Sequence, residues 1–164
     1  MAISEFIRAG VFGLALALGA CAQADTQTPV AQQQTDGVHR EQVVIETARG
    51  PVTFWAEIAY DDAERARGLM FRREMARDHG MLFEFDTPEM QSFWMRNTHL
   101  SLDLIFIGAD GRIVNVAANA TPYSDAPIPS TGPATGVLEI NAGLAQELGI
   151  AAGDRVRHPH FPGS

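Results

Sequence analysis

Short β-prone runs separated by turn signals constrain what this chain can fold into more than any other feature. Between residues 52 and 59 the apolar side chains Val52, Phe54, Ala56 and Ile58 share one face, which is the period of a half-buried strand. The run at residues 43–45 precedes Gly50-Pro51, a turn signal. The two runs are therefore predicted to form a hairpin.

A second hairpin is predicted where residues 102–107 and 112–117 flank the tight turn at residues 108–111. Further strands are predicted at residues 81–85, 92–95, 136–140 and 153–156, with a turn at residues 86–88 between the first two. Residues 119–135 contain four prolines and are expected to form a long loop. These elements are short, as in small β-rich domains.

Two short helices are expected beside these strands. Asp61 can cap the first, with Glu64 three residues later as in a capping box, and this helix should end near Gly68. Asn141 is expected to cap the second, which Gly149 can close in the left-handed conformation. The predicted fold class is mainly β (α+β): a small antiparallel β-barrel or sandwich with two short helices at its ends.

The N-terminal residues predict a lipoprotein signal. A short apolar run ends in Leu18-Gly19-Ala20-Cys21, which has the form of a bacterial lipobox. This run is shorter than the about 20 apolar residues that a spanning helix needs. We expect residues 1–20 to be removed and Cys21 to be acylated. The protein would then be anchored to the membrane on the periplasmic side of a bacterial cell envelope, and Ala22 favours the outer membrane.

The rest of the chain suits one domain. Residues 21–40 comprise Cys21 and a polar spacer that cannot bury enough apolar surface to fold. We expect a single β-rich domain at residues 41–158 and a tail at 159–164, with His158-Pro159-His160 frayed. The formal net charge of -8 argues against nucleic-acid binding, which leaves a basic footprint. Because Cys21 is the only cysteine, no disulfide or thiolate site is expected.

Three motifs follow one another along the predicted domain. They are Gly68-Leu69-Met70-Phe71-Arg72 with Gly80-Met81-Leu82-Phe83, then Phe93-Trp94-Met95-Arg96-Asn97-Thr98 with Leu102-Asp103, and finally Val137-Leu138-Glu139-Ile140-Asn141-Ala142-Gly143 with Gly149-Ile150 and Gly153-Asp154. From about Val43 to Val156 the chain thus resembles the bacterial and archaeal family called domain of unknown function 192. It departs from the family at His99-Leu100-Ser101, where a proline commonly precedes the leucine. The resemblance implies a compact, mostly β domain and no established activity.

The densest group of chemically useful side chains lies in residues 93–103. In a strand, Trp94, Arg96 and Thr98 would face one way and Phe93, Met95 and Asn97 the other. A Trp buries a large area and keeps one polar handle, and an Asn offers donors and acceptors, so both suit a ligand groove. The residues predicted to bind a ligand are Trp94, Arg96, Asn97, Asp103, Arg72 and Glu139.

Two carboxylates allow an alternative. Asp103 lies between two leucines and needs a partner, which Arg72 or Arg96 could supply bidentately. Glu139 is flanked by Leu138 and Ile140. If the two carboxylates converged, they could divide acid and base roles as in a hydrolase.

Methionines suggest a third possibility. Five of the six lie in one stretch, together with His79 and His99, and thioethers with imidazole suit Cu(I); the five are Met70, Met75, Met81, Met90 and Met95. Core packing is the favoured explanation, because methionine commonly fills irregular cores; no Met-x-x-Met spacing occurs, and the one His-x-His, at residues 158–160, lies away from the methionines in the sequence. No serine elbow, zinc motif or phosphate loop is present either.

The sequence thus favours a non-catalytic binding module on an envelope lipoprotein. Its ligand would be a small molecule, a glycan or an envelope partner, held beneath the expected loop at residues 119–135. A carboxylate-dependent hydrolase using Asp103 and Glu139 and a periplasmic copper-binding protein are the alternatives. No cofactor is predicted.

Overall fold

The structure, a computed structural model, describes residues 38–162. Within that range it contains seven strands and two short helices; in chain order these are β1 (Glu41–Thr47), β2 (Gly50–Ala59), α1 (Asp62–Arg67), β3 (His79–Phe93), β4 (Leu102–Ile107), β5 (Ile113–Ala120), β6 (Ile128–Asn141), α2 (Leu144–Leu148) and β7 (Arg155–Arg157). The predicted signal at residues 1–20, Cys21 and most of the spacer lie outside the described residues. Neither helix in residues 38–162 is long and apolar enough to cross a membrane.

The strands form one mixed sheet in the order β5-β4-β6-β3-β2-β1-β7. The sheet curls into a half-barrel, since its edge strands meet where Arg112 faces Arg155 in an antiparallel bridge. The Val156 amide also donates to the Gly111 carbonyl at 2.7 Å. The predicted mainly-β fold with two short helices is confirmed. One pair departs from the antiparallel expectation: β2 and β3 are parallel, because the chain between them crosses over through α1.

Both predicted hairpins are confirmed, as β1 pairs with β2 and β4 with β5. Helix α1 begins with the predicted capping box between Asp61 and Glu64, and Gly68 ends it. The predicted cap of α2 is wrong. Gly143 occupies that position, while the Asn141 side chain donates to the carbonyls of Met75 and Ala76 at 3.0 and 3.1 Å.

The long proline-rich loop expected at residues 119–135 is wrong, because β6 begins at Ile128. Pro129 and Pro133 lie in β6 opposite residues of β3, where β4 does not yet pair on the other side. Proline, which lacks an amide donor, is tolerated in such edge-like positions. Here the Asn115 side chain accepts a hydrogen bond from the Thr131 amide at 2.9 Å instead.

The turn expected at residues 86–88 is also wrong, because β3 continues through it as one strand. The register against β6 shifts between Glu84 and Glu89, which marks a bulge. β3 ends at Phe93, so residues 94 and 95 of the strand predicted at 92–95 lie outside it.

The expectation that His158-Pro159-His160 is frayed is wrong. His158 is 6% exposed, and its Nε2 lies 3.1 Å from a carboxylate oxygen of Glu41. Phe161 is 1% exposed and fills the space above Gly136, where an added Cβ would lie 2.5 Å from its ring. The C-terminal segment is therefore part of the core.

The two faces of the sheet carry separate core clusters. The first cluster joins β1, β2, β7 and α2 to one face of the central strands; its larger members are Val43, Ile45, Phe54, Leu82, Ile105, Ile107, Leu138, Ile140 and Phe161. The second cluster covers the opposite face; its members include Leu69, Met81, Phe83, Met95, Leu102, Leu104, Phe106 and Val137. Because side chains alternate along a strand, neighbouring residues of β4 and β6 belong to different clusters.

Candidate functional site

Glu139 is a buried carboxylic acid in the middle of the sheet. It lies in β6 between Met81 of β3 and Leu104 of β4, on the face of the second core cluster. Its side chain accepts no hydrogen bond from any residue in 38–162, and the residue is 4% exposed. Burial raises its pKa to about 8, so the acid is mostly protonated at pH 7.

Glu139 lines a cavity of about 320 Å³. The other walls come from the end of α1 and the residues after it, from β3, and from the loop after β3; they are Arg65, Ala66, Arg67, Gly68, Leu69, Met70, Phe83, Phe85, Gln91, Ser92, Phe93, Trp94 and Thr98. Most of these side chains are apolar or aromatic. An apolar concavity with one deep polar group is the usual form of a small-molecule site.

A glycine sets one wall of this cavity. Gly68 ends α1 with a φ of 46°, in the left-handed region that side chains avoid. An added Cβ would lie 3.1 Å from the ring of Phe83. The chain can therefore turn closely over that ring and bury Leu69, which is 2% exposed.

Perpendicular aromatic rings pack around Phe93, a residue of the cavity lining. Phe93 meets Phe83 edge to face at a centroid distance of 4.9 Å, and it meets Phe106 in the same way at 6.1 Å. Such packing fixes ring orientation beyond what area burial alone provides. Trp94 stands at the mouth and is 48% exposed. The Arg96 guanidinium stacks on its indole at 4.1 Å, a cation–π contact.

Three loops, here called the rim, are joined by backbone hydrogen bonds, and Thr98 of one of them lines the cavity. The Phe71 amide donates to the Asn97 carbonyl at 2.9 Å, and the Tyr123 amide donates to the Thr98 carbonyl at 3.2 Å. Phe71, Asn97 and Tyr123 all have left-handed backbones, with φ of 64°, 54° and 60°. Non-glycine residues pay for this conformation with about 1 kcal/mol or more each, and such strain concentrates at functional sites.

The structure places the candidates of residues 94–97 at this rim, although not as an alternating strand. Trp94 lines the cavity directly. Arg96 is exposed and donates to Asp125 at 2.7 Å. Asn97 is exposed, and its amide nitrogen lies 3.8 Å from the sulfur of Met70, a cavity residue. Of these candidates, Trp94 is the one that the cavity exposes directly, whereas Asn97 contacts a lining residue.

Asp103 does not belong to this site. It is fully buried on the face of the first core cluster, and neither Arg72 nor Arg96 pairs with it. Its two carboxylate oxygens accept hydrogen bonds from the amides of Asn119 and Ala145 at 2.8 and 2.9 Å. Asp103 therefore caps α2 from a neighbouring strand and holds the end of β5.

The structure does not bring Asp103 and Glu139 together, because of the register between β4 and β6. Leu104, not Asp103, is the direct neighbour of Glu139, so the two carboxylates point to opposite faces of the sheet. They cannot divide acid and base roles across one cleft. The hydrolase alternative loses its geometric basis.

Arg72 lies beside the cavity rather than in it. Its guanidinium binds Glu57 bidentately at 2.5 and 2.7 Å, and Arg40 approaches the same carboxylate at 3.3 Å. Burial raises the pKa of Glu57, but the hydrogen bond and charge of Arg72 outweigh it, so that the pKa is lowered. This pair borders a second cavity, of about 590 Å³, on the other side of residues 68–71.

The copper alternative gains no geometric support. In the described part of the chain, no three His, Cys, Asp or Glu side chains converge to hold a metal ion. Met81 and Met95 are buried in the second core cluster, and Met90 is 60% exposed. Core packing explains the two buried methionines.

Sequence reasoning missed the aromatic wall and the residues after α1. Met81, Phe83 and Phe85 alternate along β3, and the partner of Met81 is Glu139. The alternation was visible in the sequence, but the partner strand was not. Leu69, Met70 and Arg67 were invisible as cavity residues because the chain turns over Phe83 only in the folded sheet.

The half-barrel with its acid-bearing apolar cavity is a small, mostly β domain. The family model described as an uncharacterised ACR family, domain of unknown function 192, matches residues 43–158. The chain belongs to this family, as the motifs indicated. No curated protein matches the chain.

Two solved structures are similar to this chain. A protein of unknown function from Novosphingobium aromaticivorans DSM 12444 is 47% identical, with a TM-score of 0.73; the match covers 76% of this chain and 89% of that one. A protein from Sinorhizobium meliloti 1021, provisionally described as a transcription regulator, is 44% identical, with a TM-score of 0.71; the match covers 74% and 95%. Both likenesses support the fold.

Proposed function

We propose that this protein is a lipid-anchored envelope protein whose domain is a non-catalytic binding module for a small molecule. The observation that carries the proposal is Glu139, a buried acid without a hydrogen-bond partner in residues 38–162, on the wall of an aromatic cavity. Because Glu139 lines the cavity and makes no hydrogen bond within residues 38–162, its carboxyl group is open to a hydrogen bond from a ligand there.

The size of the cavity fits a small molecule. Ligand pockets typically measure about 300–1,000 Å³, and a closed apolar cavity of about 150 Å³ can hold benzene. The volume of about 320 Å³ therefore suits one substituted ring or a compound of similar size. Trp94 at the mouth and the strained rim loops would contact the part of the ligand that protrudes.

A blocking variant tests the cavity. Ser92 lines it and is exposed, so Ser92→Trp should fill the mouth without disturbing the core. A set of uncharged one-ring compounds, screened by ligand-observed NMR, should give binders of the wild type that Ser92→Trp loses. Thr53→Trp, an exposed position on β2 outside the cavity, is the control and should retain them. Equal binding to both variants, or no binder of the wild type, would contradict the proposal.

The anchor rests on Leu18-Gly19-Ala20-Cys21. Cys21→Ser should release the protein from the membrane fraction and abolish labelling with a radioactive fatty acid, because the acylated atom is lost. Thr28→Ser, a conservative change in the spacer, should leave both unchanged. Membrane association that survives Cys21→Ser without label would show that another segment holds the protein.

A further inference from the structure

The chemistry of the cavity restricts what its ligand can present to Glu139. Besides this acid, the polar side chains of the lining are already engaged or lie near the surface. The Thr98 hydroxyl donates to the Arg96 carbonyl at 3.1 Å, and the Gln91 amide lies 3.5 Å from the Ala134 carbonyl. Glu139 is thus the deep polar contact.

The charges of the lining argue against a cationic ligand. Arg65 and Arg67 are the cationic side chains among the cavity residues of the described chain. Arg65 is tied to the carbonyls of Tyr60 and Glu84 and to the Asp62 carboxylate, and Arg67 is exposed. A cationic ligand would therefore find two like charges in the lining and, as its opposite charge, only an acid that must first lose its proton.

The same lining argues against an anionic group at the base of the cavity. Burial alone perturbs Glu139, so neither arginine acts on it as a counter-charge. An anion next to Glu139 would lose its hydration among aromatic rings and gain no cation in return. A neutral carboxylic acid, in contrast, has an O–H to donate and a carbonyl oxygen to accept with.

We propose that the ligand is an uncharged, ring-bearing molecule that presents a carbonyl or amide group to the protonated carboxyl of Glu139. The ring lies against Phe83, Phe93 and Trp94, and the ligand's carbonyl oxygen accepts the proton of the acid. An amide would also donate to the acid's carbonyl oxygen. This inference rests on the proposed function, because it names the ligand class of the same cavity.

The inference predicts how affinity depends on pH. The titratable groups lining the cavity in residues 38–162 are Glu139, Arg65 and Arg67, and arginine keeps its charge throughout. Met81 of β3 and Leu104 of β4, which flank Glu139, do not titrate. Ionisation of Glu139 is then the event that removes the donor. Affinity for an uncharged acceptor should be constant near pH 6 and fall about tenfold between about pH 7 and about pH 9.

Three probes of the same shape separate the ligand classes: benzamide, benzamidinium and benzoate, which are uncharged, positive and negative. Their dissociation constants are measured by ligand-observed NMR between about pH 6 and about pH 9. Benzamide should bind at least tenfold more tightly than either ion. Glu139→Gln, which keeps a neutral donor and acceptor, should bind benzamide within a few-fold of the wild type without pH dependence. Glu139→Leu should lose benzamide.

Other outcomes overturn the inference. Preference for benzamidinium, or affinity that rises with pH, would mean that the ionised carboxylate binds a cation. Loss of benzamide in Glu139→Gln would mean that the carboxyl group does not act as a neutral donor and acceptor. If benzamide does not bind, but other uncharged ring compounds bind the wild type and are lost in Ser92→Trp, this inference fails and the proposed function stands. If no ring compound responds to Ser92→Trp, both fail.

Discussion

Glu139→Gln should stabilise the protein at neutral pH and leave its stability at acidic pH nearly unchanged. Burial raises the pKa of Glu139 from 4.5 to about 8 in the folded state. Between these values the folded protein keeps a proton that the unfolded chain releases, so its free energy of unfolding falls as pH rises. The contribution is fully present below about pH 4.5 and is lost as pH rises through about 8.

The magnitude follows from the shift. Each pH unit within this interval lowers the free energy of unfolding of the wild type by about 1.4 kcal/mol. Glu139 alone should therefore lower it by roughly 3 kcal/mol between about pH 5 and about pH 7.5. A glutamine cannot ionise and has nearly the shape of the protonated acid. The variant should therefore be more stable than the wild type by roughly that amount near pH 7.5, and within about 1 kcal/mol of it near pH 5.

Urea denaturation followed by tryptophan fluorescence at several pH values measures this difference. The difference between variant and wild type isolates Glu139 from the other carboxylates. Glu89→Gln, an exposed position on β3, is the matched control and should follow the wild type at every pH. A difference for Glu139→Gln that is the same at all pH values would refute the reasoning, because it would show that the acid is solvated or paired when folded.

Three further changes test the structural roles assigned above. Asp103→Ala should destabilise by about 3–5 kcal/mol in urea denaturation, because it leaves two buried amides without their acceptor; an unchanged midpoint would contradict the capping role. Arg72→Ala should destabilise by about 1–3 kcal/mol near pH 7 and by progressively less as pH falls below 4.5 towards the lowered pKa of Glu57, whereas a loss independent of pH would point to packing alone. Phe161→Ala should lower the free energy of unfolding by about 3–5 kcal/mol, which a calorimetric melting temperature would detect. A melting temperature equal to that of the wild type would show that Phe161 does not pack in the core.

Local signals in the sequence determined the elements that depend only on neighbouring residues. The alternation of residues 52–59 predicts β2, and the capping box of Asp61 and Glu64 places the start of α1. The run at residues 102–107 coincides with β4. These three predictions agree with the structure because the period of a strand and the cap of a helix depend on residues close together in the sequence. Pro129 and Pro133 led to the wrong prediction of a loop. They fit into β6 because β4 does not pair with that part of the strand, which no local pattern shows.

The sequence also determined that Asp103 and Glu139 would be buried carboxyl groups, because each lies between large apolar residues in a strand. Only the tertiary structure decided what each one does. The pairing of Leu104 with Glu139 turns the two acids to opposite faces, where Asp103 meets two backbone amides and Glu139 meets an aromatic cavity. Register between strands far apart in the chain assigns these surroundings, and no local pattern encodes it.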